Sequence, residues 1–431
     1  NHQLYLEEIR QKFQSANPDS PRPPNIIIIL TDDMGYADIS AYGATAISTP
    51  NIDRIASEGV SFDTFYSSSP VCSPSRAGLL TGRYPLRMHI SKVFFPHRSY
   101  VDNFFRITGG YRYGVDGIMA DEITLAEALK AAGYSTGILG KWHLGDHSPH
   151  LPNDKGFDFF YGSFYSNDMK PYAYYRNRKV EVPAPVEQTQ ITRLLTTEAL
   201  KFIEENTDRP FLLHYCQPFP HSPVHASAEF TRSSRAGTYG DCIQELDWSI
   251  GEILKSLDKH NLRSNTLIIF TSDNGPWYEG NPGYARGRKG LTFEGGQRVP
   301  AIWSWPSHIP QNEKRSALCS NLDIFPTLLS LVDIPLPRDR IIDGKNILPI
   351  LLNNQEDQAV PLETDSRCFF YLWDKRVLAV RKGVWKYHRR HMNDNATYWP
   401  MPIGPLLQNI VEDPNESYNQ IMSHPEKAEE L

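Results

Sequence analysis

Two acidic motifs in this sequence each follow an apolar run. Thr31-Asp32-Asp33 comes directly after IIIIL, and Thr271-Ser272-Asp273-Asn274-Gly275 directly after LIIF. Segments of this form, each at the carboxyl end of a core strand, would converge at one edge of a sheet. Three carboxylates gathered there repel one another unless a hard cation neutralises them. All-oxygen ligands favour Ca2+, or less strongly Mg2+, over a thiophilic metal. Either pair alone reads equally well as a turn or helix cap; the two together point to a metal site. Gly140-Lys141-Trp142-His143-Leu144-Gly145 and Pro220-His221-Ser222-Pro223 also follow predicted strands, and Lys289 lies shortly after the second acidic pair. A lone lysine or histidine is usually solvated or structural. Gathered beside a metal they suit an anionic substrate, with histidine able to shuttle protons near neutral pH.

Cys72 sits in SPVCSPSRAGLLTGRYP, among small and polar neighbours. Pro74 and the run that follows place it at a helix start, where free N–H groups favour an anion. Arg76 lies one turn on. Read as a plain residue, Cys72 would be an activated thiolate. A tyrosine-phosphatase loop does not fit, since that pattern needs its arginine six residues after the cysteine, and a thiol redox enzyme would need a resolving cysteine nearby. Cys216, Cys242, Cys319 and Cys368 add no CxxC pair, so the cysteines offer neither a zinc site nor a disulfide scaffold. Cys216, within FLLHYC, reads as a buried thiol.

These residues need a frame that brings them together, and the chain supplies a βαβ rhythm from Asn25 onward. NIIIIL is a strand buried on both faces of a parallel sheet. A helix is predicted over NIDRIASEGV, with Thr49 as N-cap and Pro50 in its first turn. Another is predicted from Glu122 to Ala132, closed by Gly133, then strand YSTGILG. Helix TTEALKFIEEN, strand RPFLLHYC, a long helix near Tyr239 to His260 and strand NTLIIFTSDNG continue the series. The expected fold class is α/β: a large, mainly parallel sheet sandwiched by helices. From about Asp365, CFFYLWDKRVLAVRKGVWKYH changes texture to short alternating strands, a small C-terminal antiparallel α+β subdomain. The expected organisation is an N-terminal arm outside the core over 1–24, a catalytic domain over 25–365 and the small subdomain over 366–431.

Taken together, CSPSR followed by AGLLTGRYP resembles the sulfatase signature, C-x-P-x-R followed by a TGR motif. The resemblance extends from Pro24 to Leu431 through PNIIIILTDDMGYAD, TPNIDRIASEGVSF, GKWHLG, GFDFFYGS, FTSDNG, GRKGLTFEGGQRVPAI and GPLLQNIVEDPNESYNQ. It implies an alkaline-phosphatase-like fold and hydrolysis of a sulfate monoester. The cysteine of this family is oxidised after translation to Cα-formylglycine, whose hydrate is the nucleophile, so a formylglycine-generating maturation enzyme is an implied partner. Carried over, Asp32, Asp33, Asp273 and Asn274, with the formylglycine at Cys72, would coordinate Ca2+. Arg76 would stabilise the hydrated aldehyde. Lys141 and Lys289 would hold sulfate oxygens, with Ser166 in FYSND adding a hydroxyl on that side. His221 would assist the leaving alcohol, and His143 would take the proton that lets the sulfated hydrate collapse. An ordinary serine or cysteine could not expel sulfate this way, because only a geminal diol keeps a second hydroxyl after the first has attacked.

The class of substrate is less constrained. SPVHASAEF, RAGTYGD and an IDG-x-N-x-LP pattern resemble the branch holding arylsulfatase A, steryl-sulfatase and N-acetylgalactosamine-6-sulfatase. The insert from Val93 to Gly117 is aromatic and carries Arg98, Arg106 and Arg112. It either rims the pocket, which favours a sulfated carbohydrate over an aryl or steroid sulfate, or simply packs at the surface. A phosphonate or phosphodiester hydrolase of the same superfamily is the alternative, as is a non-catalytic sulfoglycan-binding protein if Cys72 stays unmodified. The 431 residues carry a net charge of −6, which argues against a nucleic-acid partner. No apolar run reaches the roughly 18–20 residues that span a bilayer. A periplasmic, secreted or lysosome-like location is implied by the family alone. Asn395-Ala396-Thr397 and Asn415-Glu416-Ser417 fit the glycosylation pattern, a match common by chance.

Overall fold

The computed structural model describes residues 1–15, 21–107, 115–352, 366–389 and 404–431, without the side chains of 105–107. Ten strands form one sheet. Its centre is five parallel strands in the order Thr266–Ser272, Asn25–Thr31, Phe211–Cys216, Ser135–Lys141 and Phe159–Ser163. On one side Ala301–Ser304 runs antiparallel to its neighbours, then Gly59–Phe62 and Glu313–Arg315 complete the sheet. On the other, Tyr174–Arg176 and Lys179–Val182 form an antiparallel ribbon.

The isoleucine run explains the layering. Side chains of a strand alternate between faces. Ile26, Ile28 and Leu30 join a core with the helices Cys72–Thr81, Leu125–Ala131 and Ile324–Leu331. Ile27 and Ile29 join the opposite core with Pro50–Ser57, Ile191–Glu205 and Gly237–Lys259. All five side chains are completely buried, each contributing about 1.5–3 kcal/mol of transfer free energy. The strand therefore anchors both layers, and its carboxyl end is fixed relative to helices on either side.

Register then aligns the functional edge. Thr31 lies opposite Ser272, Leu30 opposite Cys216, Gly140 opposite Cys216 and Lys141 opposite Ser163. The polar motifs after these strands consequently emerge at one level. Gly140 is required for that alignment: its φ is +101°, and a Cβ there would lie 1.9 Å from the Cys216 carbonyl oxygen.

Several element boundaries differ from the sequence expectation. The helix predicted over NIDRIASEGV stops at Ser57, and Gly59 and Val60 enter a strand instead. A Cβ at Gly59 would meet the Trp303 carbonyl at 2.1 Å, so the pairing with Ala301–Ser304 uses the glycine. Thr49 does not cap that helix through its side chain; the Asp247 carboxylate, from the long helix, accepts from the N–H groups of Asn51 and Ile52 at 3.0 and 2.8 Å. The helix expected from Glu122 begins at Leu125, because Thr124 and Glu127 form a capping box. Glu122 is drawn away to Arg83 at 2.6 Å. The helix read as TTEALKFIEEN starts earlier, at Ile191.

The N-terminal residues also depart from an arm outside the core. His2–Gln14 is a helix whose Tyr5, Leu6 and Ile9 are buried in the main core, with the Tyr5 hydroxyl donating to the Pro335 carbonyl at 2.8 Å. The C-terminal expectation of antiparallel strands agrees with the structure. Cys368–Trp373, Arg376–Lys382, Trp385–His388 and Leu406–Asn409 pair in that order.

Candidate active site

Cys72 is the first residue of the helix Cys72–Thr81, which is buried along its entire length. Its Sγ lies 3.5 Å from Asp32 Oδ1. Burial pushes the thiol well above its ordinary range, outweighing the pull of Lys141 and Lys289. This pocket thus disfavours a free thiolate, against the plain reading of Cys72 as an activated nucleophile. One turn on, Arg76 Nε and Nη2 each stand 2.9 Å from Asp273 Oδ2, and Nη1 donates to the Lys141 carbonyl at 2.8 Å. Its Nη2 is also 3.7 Å from Asp32 Oδ2.

The carboxylates gather as the strand registers require. Asp32, Asp33, Cys72 and His221 present ligand atoms all within 4.8 Å of one another. The Asp33 backbone N–H donates to Asp273 Oδ1 at 3.2 Å, and Asn274 Nδ2 donates to Asp33 Oδ1 at 2.7 Å. Lys141 Nζ lies 2.5 Å from Asp32 Oδ2, and Lys289 Nζ 2.8 Å from Asp33 Oδ2. Burial raises the cost of ionising Asp32, but Lys141, His221 and Arg76 outweigh it and hold the group well below the usual range. For Asp273, burial and the neighbouring Asp32 push the pKa up in spite of Arg76. The Asn274 Oδ1 is buried without a hydrogen-bond partner among the described residues. Three buried carboxylates and an unpaired amide oxygen make an all-oxygen set that fits a hard divalent cation.

The two histidines are placed differently. His143, at φ +61°, turns Nε2 to the Phe94 carbonyl at 2.9 Å. Since a carbonyl only accepts, Nε2 carries the proton and the buried Nδ1, without a hydrogen-bond partner, carries the lone pair. Burial, reinforced by Lys141 and Arg76, holds this imidazole neutral, far below its ordinary pKa. His221 Nδ1 faces the Ser222 carbonyl at 2.5 Å and Asn167 Oδ1 at 3.1 Å. Its Nε2 points to Ser166 Oγ at 3.3 Å and Asp33 Oδ2 at 3.6 Å. Burial lowers its pKa, opposed by Asp32 and Asp33. Ser166 Oγ also accepts from Lys141 Nζ at 3.2 Å.

Ten of the eleven candidate site residues are thus joined by direct contacts, and His143, buried beside them, feels the charges of Lys141, Arg76 and Asp32. Sequence reasoning missed three contributors. Asn167 orients His221 and ties its loop to the Pro223 carbonyl at 2.9 Å; its place beside Ser166 was the available signal. The Phe94 carbonyl leaves no trace in residue types. Glu294, in FEGG, is the third. Its carboxylate accepts from Tyr66, from Tyr371 at 2.7 Å and from Lys386 at 2.9 Å, and its backbone N–H donates to Glu416 at 2.6 Å. Glu416, of the closing DPNE, also meets His388 and Lys386 at 2.9 Å. The small sheet thereby clamps the segment that follows Lys289. Of the insert, Phe94 N–H donates to Ser73 Oγ at 3.1 Å, which packs its start on the Cys72 helix. Arg98 is exposed. Arg112, the Arg106 side chain and Asn395 lie outside the described residues.

Buried carboxylates paired with cations beyond the carboxyl ends of a largely parallel sheet are the architecture of alkaline-phosphatase-like hydrolases acting on anionic esters. The sulfatase family model matches residues 24–334, and a model for the C-terminal region of N-sulphoglucosamine sulphohydrolase matches 284–427. N-acetylgalactosamine-6-sulfatase of Canis lupus familiaris is 39% identical over 86% of this chain and 72% of its own length. N-acetylgalactosamine-6-O-sulfatase of Bacteroides thetaiotaomicron is 32% identical over 99% of this chain and 95% of its own. A solved structure from work on glycosaminoglycan metabolism by that bacterium superposes with a TM-score of 0.82, at 31% identity, covering 95% of this chain and 98% of its own. The chain belongs to the sulfatase family. It is a sulfuric ester hydrolase, and no helix among its described residues is long and apolar enough to cross a membrane.

Proposed function

We propose that this enzyme removes sulfate from a sulfated carbohydrate, with a 6-sulfated N-acetylgalactosamine unit as the foremost substrate. The reading uses position 72 as formylglycine and a bound Ca2+. The observation that carries it is the 4.8 Å cluster of Asp32, Asp33, Cys72 and His221 beside Lys141 and Lys289. The relatives' named substrates supply the sugar.

Asp32, Asp33, Asp273 and Asn274 would hold the cation, which supplies positive charge against the ester's sulfuryl oxygens. The hydrated aldehyde supplies a geminal hydroxyl pair, and Asp32 stands within reach of position 72 to accept from it. Lys141 and Lys289 bind the remaining sulfate oxygens. Cation uptake by Asp32 and Asp33 would leave both ammonium groups available to the substrate. Arg76 holds Asp273 and the start of the nucleophile helix in place. His221, its Nδ1 proton held by Asn167 and the Ser222 carbonyl, would act from the imidazolium form that the neighbouring Asp32 and Asp33 favour, giving its Nε2 proton to the departing sugar oxygen. His143 accepts a proton at Nδ1 in the step that frees sulfate. The balance is one water consumed and one alcohol, one sulfate dianion and one proton released. A maturation enzyme that oxidises Cys72 is part of this reading, and an extracytoplasmic home suits its carbohydrate substrate.

The test pairs mass with turnover. Formylglycine is lighter than cysteine by ~18 Da, the loss that converts the thiol to an aldehyde. The modified enzyme should release sulfate from N-acetylgalactosamine 6-sulfate faster than from aryl, steroid or phosphate esters. Unmodified Cys72 in an active preparation, or no turnover of any sulfated sugar, would overturn it.

A further inference from the structure

A second group of metal-capable side chains lies apart from the carboxylate floor. His97, Asp116 and His147 each present one ligand atom within 4.8 Å of the others. They come from three separate stretches: the start of the insert, its return, and the loop after His143.

The arrangement fixes protons as a metal site needs them. His147 Nδ1 lies 2.9 Å from Asp146 Oδ1, a carboxylate oxygen that accepts. Nδ1 therefore carries the proton, and Nε2 presents its lone pair toward Asp116, with Oδ2 at 3.9 Å. A carboxylate behind a ligating imidazole is the recurrent supporting contact of such sites. The same Asp146 accepts from the His97 backbone N–H through Oδ2 at 3.0 Å, so one side chain orients both histidine segments. The His97 and His147 rings are 4.5 Å apart. The His97 Nδ1 is buried with no hydrogen-bond partner among the described residues. A buried nitrogen left without a partner is destabilising, and a bound cation would satisfy it.

We propose that His97, Asp116 and His147 bind a transition-metal dication, Zn2+ by preference. Two imidazoles and one carboxylate suit Zn2+ and disfavour Ca2+ or Mg2+, which take oxygen. Ligands about 2.0–2.1 Å from zinc stand roughly 3.3 Å apart, a spacing reached from 4.8 Å by small side-chain rotations. Water completes the fourth position. The ion ties the Phe94-to-His97 segment to the loop running from His143 to His147. Phe94 supplies the carbonyl that orients His143, so the ion would hold in place the segment that fixes that ring. The ligands are too far apart in sequence to match any zinc spacing, which is why only the fold reveals them.

The full chain, held in saturating Ca2+ to occupy the carboxylate site, is titrated with Zn2+ by calorimetry. One equivalent should bind. His147→Gln or Asp116→Asn should weaken it by more than about 100-fold, and Asp146→Asn by about 10–100-fold. His260→Gln should leave it unchanged. Co2+ should give visible absorption bands of low-coordinate geometry that Asp116→Asn abolishes. Thermal melts in chelator confirm that each variant folds, with Asp116→Asn taking the place of His147→Gln if the latter does not. Absence of Zn2+ uptake by the Ca2+-saturated chain, or uptake undiminished in the folded variants, would overturn the proposal.

Discussion

His143 presents its Nε2 to the carbonyl of Phe94 at 2.9 Å and keeps Nδ1 buried and unpaired inside the pocket. The contact fixes a tautomer: in the neutral ring the Nδ1 lone pair can accept a proton and cannot donate one. His143→Gln should lower kcat by about 10²–10⁴-fold, the range for losing a positioned acid or base. KM should change little, because no part of the ring is assigned to ground-state binding. Steady-state kinetics on a chromogenic sulfate ester separates the two constants. A loss carried by KM alone would assign His143 to substrate binding instead.

The Lys141–Asp32 and Lys289–Asp33 pairs predict the response to chelation. With a divalent ion on the carboxylates, both ammonium groups are available for sulfate; without it they are bound to their partners at 2.5 and 2.8 Å. Chelation should abolish turnover, and Ca2+ should restore it more fully than Mg2+. The ion should also raise stability, by about 2.7 kcal/mol at a concentration 100 times its Kd. Melting temperature and activity followed against Ca2+ in one titration should rise together. Full activity in excess chelator would remove the metal from the reading.

Much of this pocket was legible because its residues sit directly beyond apolar strands. NIIIIL announces a strand buried on both faces, and register carries Asp32, Asp273 and Lys141 to a common edge without further information. Boundaries were less legible where a tertiary partner decides them. Nothing local says that Asp247 will cap the Pro50–Ser57 helix, or that Gly59 will approach Trp303. The N-terminal helix looks detachable because its apolar face is short, and its burial depends on partners distant in sequence, the helix Leu125–Ala131 and Pro335. The Phe94 carbonyl was invisible because backbone atoms carry no signature in the letters.

Gly140 yields a test of the strand register itself. Its positive φ, and the 1.9 Å that would separate an added methyl from the Cys216 carbonyl oxygen, mean that any side chain must push two central strands apart. Gly140→Ala should cost about 2–4 kcal/mol, in the upper range for point substitutions. It should also displace Lys141, so the folded fraction should lose activity beyond its loss of stability. Urea denaturation gives the first quantity and titration of active sites the second. A denaturation midpoint equal to the parent's would mean that the two strand ends leave room for a side chain.

Glu294 links the small sheet to the pocket by charge, and its pH dependence has a definite sign. Burial opposes ionisation, but Lys386, Arg381 and the Tyr66 and Tyr371 hydroxyls depress its pKa from 4.5 to about 2. A group lowered on folding contributes stability that is complete above its unfolded value and lost as pH falls from 4.5 through about 2. Glu294→Gln keeps the shape but leaves Lys386 and Arg381 without that countercharge. Near neutral pH the substitution should cost about 3–5 kcal/mol, as for breaking a buried pair. The penalty should shrink progressively once the pH drops below 4.5, because the parent then protonates the same carboxyl. Urea unfolding of parent and variant across that range measures the difference directly. A penalty that stays constant on acidification would mean that the hydrogen bonds to Tyr66 and Tyr371, rather than the charge, hold the small sheet against the FEGG segment.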